Sequence, residues 1–359
     1  ETIAYSYGTD DKTPERKRLE SAFDVFNDIR QLTDIEAAQK IHQDGVAILV
    51  DLTGFTQNSR TGIVALKPAP ISINWLGFPG TMGEIRDEIR NEMSVEKAED
   101  AYFSPLFDYL MADKIVAPNA HDFSEKLLYL PCYQPNNSQR AFSIATQKTE
   151  HNLPENSFVF CCLNQSFKIT QEVFAVWMRI LQQTPNSVLW LLDCNSWAST
   201  NLRQAATKAG VVETRLIFAP RVTIAEHLAR HVHADLFLDT SPYNAHTTAS
   251  DALLMGLPLL TCTGETFASR VATSLLQHIN LPELIAQNWQ EYAQKAVFFV
   301  QNPAKLNQLK QQLAAQIKST PLSDSSPFNP AQFSRNLEQQ YQQIWQVYQQ
   351  QIMASEHTT

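Results

Sequence analysis

The stretch ADLFLDTSPYNAHTTASDALLMG, residues 234–256, decides the fold. It begins with the apolar run 235–239, which predicts a buried strand, and it ends with the apolar run 252–256, which predicts a helix. The loop between them leads into HTT at 246–248, so hydroxyls, an imidazole and backbone N–H groups meet at the positive end of a helix dipole. This pattern predicts a phosphate site, with Asp251 placed for ribose hydroxyls. An ordinary threonine N-cap with nothing bound is the alternative.

Strands and helices of the same kind alternate from about residue 157 to residue 277. In these strands apolar residues stand at successive positions and do not alternate with polar ones, so both faces of each strand must be covered. This pattern predicts a parallel sheet with helices on each side. The fold class is therefore α/β, doubly wound. The predicted strands are 158–163, 187–192, 215–219, 234–239 and 258–262, and the predicted helices are 170–183, 200–209, 223–231, 247–255 and 267–277.

The first part of the chain shows the same alternation less completely. Two such halves predict a nucleotide-type site in a cleft between them. A polar, proline-bounded linker is predicted at 136–156, and a long amphipathic helix is predicted near the C-terminus. The elements predicted in the first part are strands 2–6, 46–52 and 71–76 and helix 35–42, and the predicted domains are 1–140, 150–325 and a C-terminal helix at 326–359 that packs back.

The composition excludes several classes of protein. With 44% hydrophobic and 18% charged residues, the chain of 359 residues is globular rather than disordered. A net charge of −9 argues against nonspecific binding to nucleic acid, and no apolar run is long enough to span a membrane. The five cysteines lack CxxC spacing, which predicts packed thiols in a reducing compartment and a cytoplasmic location.

Polar and glycine-containing loops follow the predicted strands. Gly77 begins such a loop after strand 71–76, where glycine allows the backbone to approach a ligand closely. A tight structural turn is the alternative there. Lys168 follows the first strand of the second half and could neutralise a diphosphate, although a solvated lysine would look the same in sequence.

No metal site is predicted from spacing in the sequence. His231 and His233 lack a third ligand at metal spacing, so we reject zinc for this pair. Asp235 and Asp239 lie on a predicted buried strand and do not form a surface DxD pair, so nothing implies an obligatory divalent metal.

Seven short motifs, in order over nearly the whole chain, carry a resemblance to a known family. They are DLTG at 51–54, KPAPI at 67–71, WLGFPGT at 75–81, YQPN at 133–136, NQSFKI at 164–169, NAHTT at 244–248 and GETFASR at 264–270. Together they resemble the catalytic region of O-linked N-acetylglucosamine (O-GlcNAc) transferases of the bacterial type. The resemblance implies a GT-B fold, a UDP-sugar donor between two Rossmann-like halves, and transfer to serine or threonine of proteins without a metal or other cofactor.

The resemblance also implies roles for single residues. Lys168 and the helix start at His246, Thr247 and Thr248 would hold the diphosphate, and Lys168 would stabilise charge on the leaving UDP as a catalytic residue. Asp251 would hold the ribose. The other implied residues are His227 beside the uracil, Gln165, Leu76 and Gly77 around the sugar, and His42 near the reaction centre as a catalytic polar or base group. A structural histidine at a helix end is an equal alternative for His42.

The chain departs from the family pattern in three places. The family has a strand and a histidine-bearing loop upstream of Glu1, so we expect the N-terminal half to be incomplete and the chain to be a fragment or a processed form. Ile224 stands where the animal enzymes use a lysine near the base. Segment 84–107 is an insertion whose apolar residues recur every fourth position, so an extra helix is predicted there.

Three functions stay open. The first is transfer of N-acetylglucosamine from UDP-GlcNAc to protein hydroxyls, and the second is a noncatalytic module that binds a nucleotide sugar or acts as a scaffold. The third is protein O-fucosyltransfer from a GDP-sugar. The HTT motif with Asp251 argues against this third function, because it favours UDP over GDP as the donor nucleotide. The expected partners are UDP-GlcNAc and protein or peptide acceptors, but neither nucleic acid nor a membrane.

Overall fold

The computed structural model of the protein describes residues 1–86, 103–136, 146–318 and 326–356. In these ranges the chain forms fourteen strands and eleven α-helices. The strands are β1 (Ile3–Ser6), β2 (Val25–Asp28), β3 (Ile48–Asp51), β4 (Ile71–Asn74), β5 (Glu84–Arg86), β6 (Phe103–Pro105), β7 (Tyr109–Ala112), β8 (Lys126–Tyr129), β9 (Phe158–Cys162), β10 (Ser187–Leu192), β11 (Leu216–Ala219), β12 (Leu236–Leu238), β13 (Leu259–Cys262) and β14 (Ile285–Ala286). The helices are α1 (Pro14–Ala22), α2 (Asp34–Gln43), α3 (Thr61–Ala65), α4 (Gln171–Gln183), α5 (Ser196–Lys208), α6 (Ile224–Ala229), α7 (Thr247–Leu254), α8 (Val271–His278), α9 (Trp289–Gln301), α10 (Pro303–Lys318) and α11 (Pro330–Glu356).

The second half of the chain folds around a six-stranded parallel sheet. Its strands lie in the order β11-β10-β9-β12-β13-β14, which is the 3-2-1-4-5-6 order of a Rossmann sheet. The central strands are apolar on both faces because helices cover both, and β9 is buried from Val159 to Cys162. The predicted doubly wound α/β fold is confirmed.

The sequence placed most elements of this sheet to within a few residues, and the differences have local causes. α5 begins four residues before the predicted start because the Asn195 side chain accepts the N–H of Ala198 at 2.9 Å and caps the helix there. The helix predicted at 223–231 ends at Ala229 and tightens into a 3₁₀ turn over Arg230–His233. Helices α9 and α10 and the two-residue strand β14 were not predicted.

The first part of the chain contains smaller sheets. β1 and β2 form a parallel pair, and β3, β4, β7 and β8 lie in that order in a four-stranded sheet. The helix predicted at 84–107 is wrong at both of its ends, since β5 and β6 form an antiparallel pair there. Ile85 packs against a core of Met82, Leu106 and Phe107, which favours the strand. Residues 87–102, the middle of that prediction, lie outside the described residues.

Two compact units can be distinguished. The first consists of Glu1–Leu110, His121–Leu127 and Ile344–Thr359, and the second of Met111–Ala120 and Leu128–Gln343. The chain therefore passes into the second unit before the linker that was predicted at 136–156. Of that linker, 137–145 lies outside the described residues and the rest includes a 3₁₀ turn over Lys148–His151. In the described residues, no helix combines the length and the hydropathy that a membrane crossing needs.

Candidate functional site

The candidate site lies where the strand order of the six-stranded sheet reverses. β9 and β12 are neighbours there, with β10 beyond one and β13 beyond the other. Open parallel sheets bind ligands at the carboxyl ends of their strands at such a reversal. Loop 164–168 follows β9, and loop 239–246 follows β12 and leads into α7. These two loops carry the predicted site residues Gln165, Lys168 and His246, and α7 carries Thr247, Thr248 and Asp251.

Lys168 lies beside the N-terminus of α7. Its Nζ donates a hydrogen bond to the carbonyl oxygen of Asn244 at 2.8 Å and lies 3.8 Å from the ring centre of Tyr243. Asn244 comes two residues before His246, the N-cap of α7. Burial lowers the pKa of Lys168 to about 8, and the negative charge of Asp239 opposes that shift. The structure thus brings the predicted cation and the predicted helix N-terminus together.

Asp239 shapes the loop that carries the site. It is buried at the end of β12, where Oδ1 accepts the N–H groups of Thr240 at 2.7 Å and of Ala245 at 2.6 Å. Oδ2 accepts the hydroxyl of Thr261 at 2.7 Å. Burial raises the pKa of this carboxyl. Asp239 therefore fixes the loop that leads into α7 through one oxygen and ties it to β13 through the other, and it is not part of a surface DxD pair.

Two of the three side chains in the HTT motif hold α7 in place. A ring N–H of His246, at Nε2, donates to the carbonyl oxygen of Ala268 at 3.1 Å, and burial lowers the His246 pKa to about 3, so the imidazole is neutral. The hydroxyl of Thr248 donates to Oδ1 of Asn164 and ties α7 to the end of β9. Thr247 is exposed in the first turn. The helix start therefore offers an anion the hydroxyl of Thr247 and backbone N–H groups that have no acceptor within the helix.

Two arginines that the sequence analysis did not single out lie near the predicted site residues. Nη2 of Arg221 donates to Oε1 of Gln165 at 3.0 Å. Arg230 donates to Nδ1 of His227 at 2.5 Å and to the carbonyl oxygen of Pro220 at 2.8 Å. An imidazole that accepts at Nδ1 carries its proton on Nε2, so His227 has an N–H donor on its other nitrogen. Burial lowers the pKa of Arg230 to about 10, which leaves it a cation at neutral pH.

Asp251 lies one helical turn after Thr247 and is 5% exposed. Residues four apart on a helix share a face. Asp251, which was predicted to accept hydrogen bonds from the ribose, therefore lies on the same face of α7 as Thr247, one turn beyond the first N–H groups. The neighbouring Ser250 is held from outside the helix, because Nδ2 of Asn136 donates to its carbonyl oxygen at 2.8 Å and to its hydroxyl. The YQPN motif thus supports the helix that carries Asp251.

In the first unit, Leu76 and Gly77 form a strained turn after β4. Leu76 has a φ of +73°, and the N–H of Gly77 donates to the carbonyl oxygen of Trp75 at 3.0 Å, as in a γ-turn. A Cβ on Gly77 would lie 2.2 Å from the carbonyl oxygen of Leu52 and 2.6 Å from that of Thr53. Strained turns of this kind cost about 1–3 kcal/mol and cluster at ligand sites, which fits the predicted position beside the sugar.

We expect Gly77→Ala to lower the free energy of unfolding by about 1–3 kcal/mol, because its Cβ must displace backbone rather than a flexible side chain. Chemical denaturation measures this change. Gly80→Ala is the matched control, since its Cβ would meet only the ring of Phe78 at 3.5 Å, an ordinary contact. Equal losses in the two variants would contradict the tight packing of Gly77.

His42 lies elsewhere in the same unit. It is exposed in the last turn of α2, and only residues 44–47 separate this helix from β3, so His42 lies near the amino end of β3. Leu76 and Gly77 follow the carboxyl end of β4, which is parallel to β3. The structure therefore places His42 and the Leu76 turn at opposite edges of one sheet and does not bring them together.

Comparison with known proteins decides the family. The sequence profile of glycosyl transferase family 41 matches residues 1–135 and 134–333. The chain belongs to glycosyl transferase family 41. This confirms the resemblance that the seven motifs carry.

Curated relatives match nearly the whole chain. A probable UDP-N-acetylglucosamine–peptide N-acetylglucosaminyltransferase, SEC of Arabidopsis thaliana, is 34% identical over 358 residues, which is 97% of this chain and 34% of that protein. A UDP-N-acetylglucosamine–peptide N-acetylglucosaminyltransferase of Caenorhabditis elegans is 26% identical over 444 residues, covering 97% of this chain and 38% of that protein. The chain thus spans little more than a third of the length of these relatives.

Solved structures of glycosyltransferases resemble this chain in fold. A mutant of the O-GlcNAc transferase from Thermobaculum terrenum has a TM-score of 0.80 and 26% identity, covering 98% of this chain and 62% of that one. A glycosyltransferase from Rickettsia africae has a TM-score of 0.56 and 10% identity, covering 96% and 89%, which is a likeness of fold alone. The predicted fold class, α/β with the Rossmann-like sheet of GT-B enzymes, is confirmed.

Proposed function

We propose that this family 41 chain transfers N-acetylglucosamine from UDP-GlcNAc to serine or threonine hydroxyls of proteins or peptides. The names of the relatives in Arabidopsis thaliana and Caenorhabditis elegans give UDP-N-acetylglucosamine as the donor and a peptide as the acceptor, which supports this choice of donor and of acceptor class. The observation that carries the proposal is the ammonium of Lys168 beside the N-terminus of α7, where β9 and β12 end.

The chemistry needs positive charge where UDP leaves. The acceptor oxygen attacks C1 of the sugar, the bond from C1 to the phosphate oxygen breaks, and negative charge builds on the diphosphate. The ammonium of Lys168 and the first N–H groups of α7 stabilise that charge. Since the carbonyl of Asn244 and the ring of Tyr243 already hold the ammonium, little reorganisation is needed during the reaction.

Donor recognition is divided among the other site residues. Asp251 accepts hydrogen bonds from the ribose hydroxyls, and His227, oriented by Arg230, lies beside the uracil. Gln165, oriented by Arg221, contacts the sugar or phosphate oxygens. Leu76 and Gly77, in the first unit, were predicted to lie around the sugar, and that role stays a prediction. Each of these roles is part of the proposal and can be tested by substitution.

Transfer is proposed to need no metal ion. Lys168 and the helix N-terminus supply the positive charge that a divalent metal supplies in other transferases. Neither of the two aspartates that flank β12 is placed to bind a metal. Asp239 holds its own loop, and Asp235 accepts the N–H of Val159 at 2.9 Å and pairs with Lys310. Transfer that is unchanged after treatment with a chelator would support this part of the proposal.

The proton of the acceptor hydroxyl must also be removed. His42 was predicted as a candidate base, and that role stays a prediction because His42 and the Leu76 turn occupy opposite sheet edges. Loss of transfer without loss of UDP affinity in His42→Ala would confirm it. Normal transfer by His42→Ala would leave His42 as a structural residue at a helix end.

Calorimetric titration with UDP, GDP and UDP-GlcNAc tests the donor. We expect UDP and UDP-GlcNAc to bind and GDP to bind at least about tenfold more weakly, which corresponds to about 1.4 kcal/mol. Equal affinity for UDP and GDP would remove the donor assignment and favour the fucosyltransferase alternative. Binding without transfer of labelled sugar to peptides would favour a noncatalytic binding module.

A cytoplasmic location is also proposed. All five cysteines are free thiols in the structure, and four of them are buried, which suits a reducing compartment. Fractionation of cells that express the protein would test this location.

A further inference from the structure

Asp51 is a carboxylate to which no role has been given, although it lies at the sheet edge that carries the turn after β4. It is the last residue of β3, and Asn74, its neighbour in register, is the last residue of β4. The N–H of Trp75 donates to the carbonyl oxygen of Asp51 at 3.0 Å, so the two strand ends are joined. A Cβ on Gly77 would lie 2.2 Å from the carbonyl oxygen of Leu52. The segment that follows Asp51 therefore touches the turn that was predicted to lie around the sugar.

The Asp51 side chain is directed into the loops at this edge. Residues in register on neighbouring parallel strands present their side chains on the same face, and Nδ2 of Asn74 donates to the carbonyl oxygen of Gly80 at 3.2 Å, in the loop after β4. Oδ1 of Asp51 accepts the N–H of Thr53 at 2.8 Å, and Oδ2 accepts that of Gly54 at 3.4 Å, a long bond. A carboxylate has about four lone-pair sites, so it can accept a further donor such as an acceptor hydroxyl.

The surroundings of Asp51 make it a stronger base than a solvated aspartate. Burial raises the pKa of this carboxyl, although the N–H groups of Thr53 and Gly54 oppose the shift. General bases in enzymes are tuned upward in this way. The residue is half-buried, and Leu52 and Phe55 in the same loop are 55% and 52% exposed. The loop that holds the carboxylate is therefore open to a substrate chain from solvent.

Two other groups near strand ends of the first unit are less suited to accept a proton. Asp28, the last residue of β2, pairs with Arg30 at 2.6 Å, which lowers its pKa to about 2 and makes it a weak base. Tyr7, which follows β1, donates its hydroxyl to Oγ1 of Thr53 at 2.6 Å, and burial raises its pKa, so it stays protonated.

We propose that Asp51 is the catalytic base that takes the proton of the acceptor hydroxyl. This role rests on the proposed function, with the sugar beside the turn after β4. As the acceptor oxygen forms its bond to C1 of the sugar, its proton passes to a carboxylate oxygen of Asp51. The bond from C1 to the phosphate oxygen breaks, and its electron pair leaves with UDP. The carboxylic acid then gives the proton to water.

Transfer to a serine peptide and to a cysteine peptide of otherwise identical sequence tests this role, because a thiolate attacks without a base. Asp51→Asn, whose amide cannot accept the proton, should lower kcat for the serine peptide by about 100-fold or more. At pH 8.5, where about half of an unperturbed thiol is ionised, the loss of kcat on the cysteine peptide should not exceed about tenfold. The Kd for UDP should stay that of the wild type. Asp28→Asn is the matched control and should keep kcat on both peptides.

Wild-type kcat of Asp51→Asn on the serine peptide would overturn the role of Asp51. Equal losses on the two peptides would also overturn it, because they would show that the carboxylate only holds its loop. If Asp51→Asn does not fold, Asp51→Glu keeps the charge but moves the carboxylate by one methylene, and the same comparison of peptides decides. Absence of transfer to either peptide by the wild type would overturn the proposed function, and this inference with it.

Discussion

Lys168→Ala is expected to weaken UDP binding by about 10- to 150-fold, or about 1.5–3 kcal/mol. In the proposed role of Lys168, the variant removes a charge-assisted hydrogen bond to the diphosphate from a site that burial has already partly desolvated. The value of kcat/KM for transfer should fall at least as far, because the same ammonium is proposed to stabilise the charge that builds on the leaving UDP. Calorimetry with UDP and a peptide transfer assay measure the two effects.

Lys310→Ala is the matched control for this variant. Lys310 belongs to the same unit but pairs with Asp235 at 3.4 Å, at the amino end of β12, so its loss should leave UDP affinity unchanged. Equal Kd values for wild type and Lys168→Ala would contradict the diphosphate role and leave Lys168 as a structural lysine that holds Asn244.

The pH dependence of UDP binding gives a second check on Lys168. Since burial lowers its pKa to about 8, the side chain is charged with or without UDP at lower pH, and Lys168 should add no pH dependence there. Above about pH 8 the free protein loses this proton, while bound diphosphate favours the charged form. Binding must then take up a proton, so Kd should rise by up to about tenfold per pH unit. Lys168→Ala should lack this rise.

The six-stranded sheet could be predicted because each of its longer elements has a strong local signal. The predicted strand 187–192 coincides with β10, and α4 begins one residue after its predicted start because Thr170 is a side-chain cap. α1 was not predicted, because it has no buried residue and therefore no apolar stripe. Its available signals were the cap at Thr13 and the proline that follows it.

The candidate site was predictable where it depends on motifs and not where it depends on tertiary contacts. Lys168 and the HTT motif each follow a strand, and parallel strands end at one sheet edge, so their convergence could be expected. The bond from Arg221 to Gln165 joins residues 56 positions apart, and that from Thr248 to Asn164 joins residues 84 apart. The sequence feature that could have identified Arg221 and Arg230 as site residues is their position near the two ends of the segment that follows β11.

Local hydrogen-bonding also changed what the HTT motif can do. The sequence suggests that His246 is a donor to phosphate, but its ring N–H is used by the carbonyl of Ala268. No pattern in the sequence could show this, because Ala268 is 22 residues away on the GETFASR turn.

Asp251→Ala is expected to weaken UDP and UDP-GlcNAc to the same extent, by about 1.5–3 kcal/mol. The ribose is common to both ligands, and hydrogen bonds to a charged carboxylate from buried hydroxyls are stronger than neutral ones. Because the ribose contact does not change as the sugar leaves, the loss is one of uniform binding. KM for UDP-GlcNAc should therefore rise while kcat stays close to that of the wild type.

Stability must be measured on the same variant, because Asp251 is buried and lies inside α7. A large drop in the unfolding midpoint with unchanged nucleotide affinity would show that the carboxylate supports the helix and would end the ribose assignment. Asp251→Asn separates the two roles, since the amide keeps the shape of the side chain but loses the charge. On the ribose reading, Asp251→Asn should fold like the wild type and recover only part of the affinity that Asp251→Ala loses.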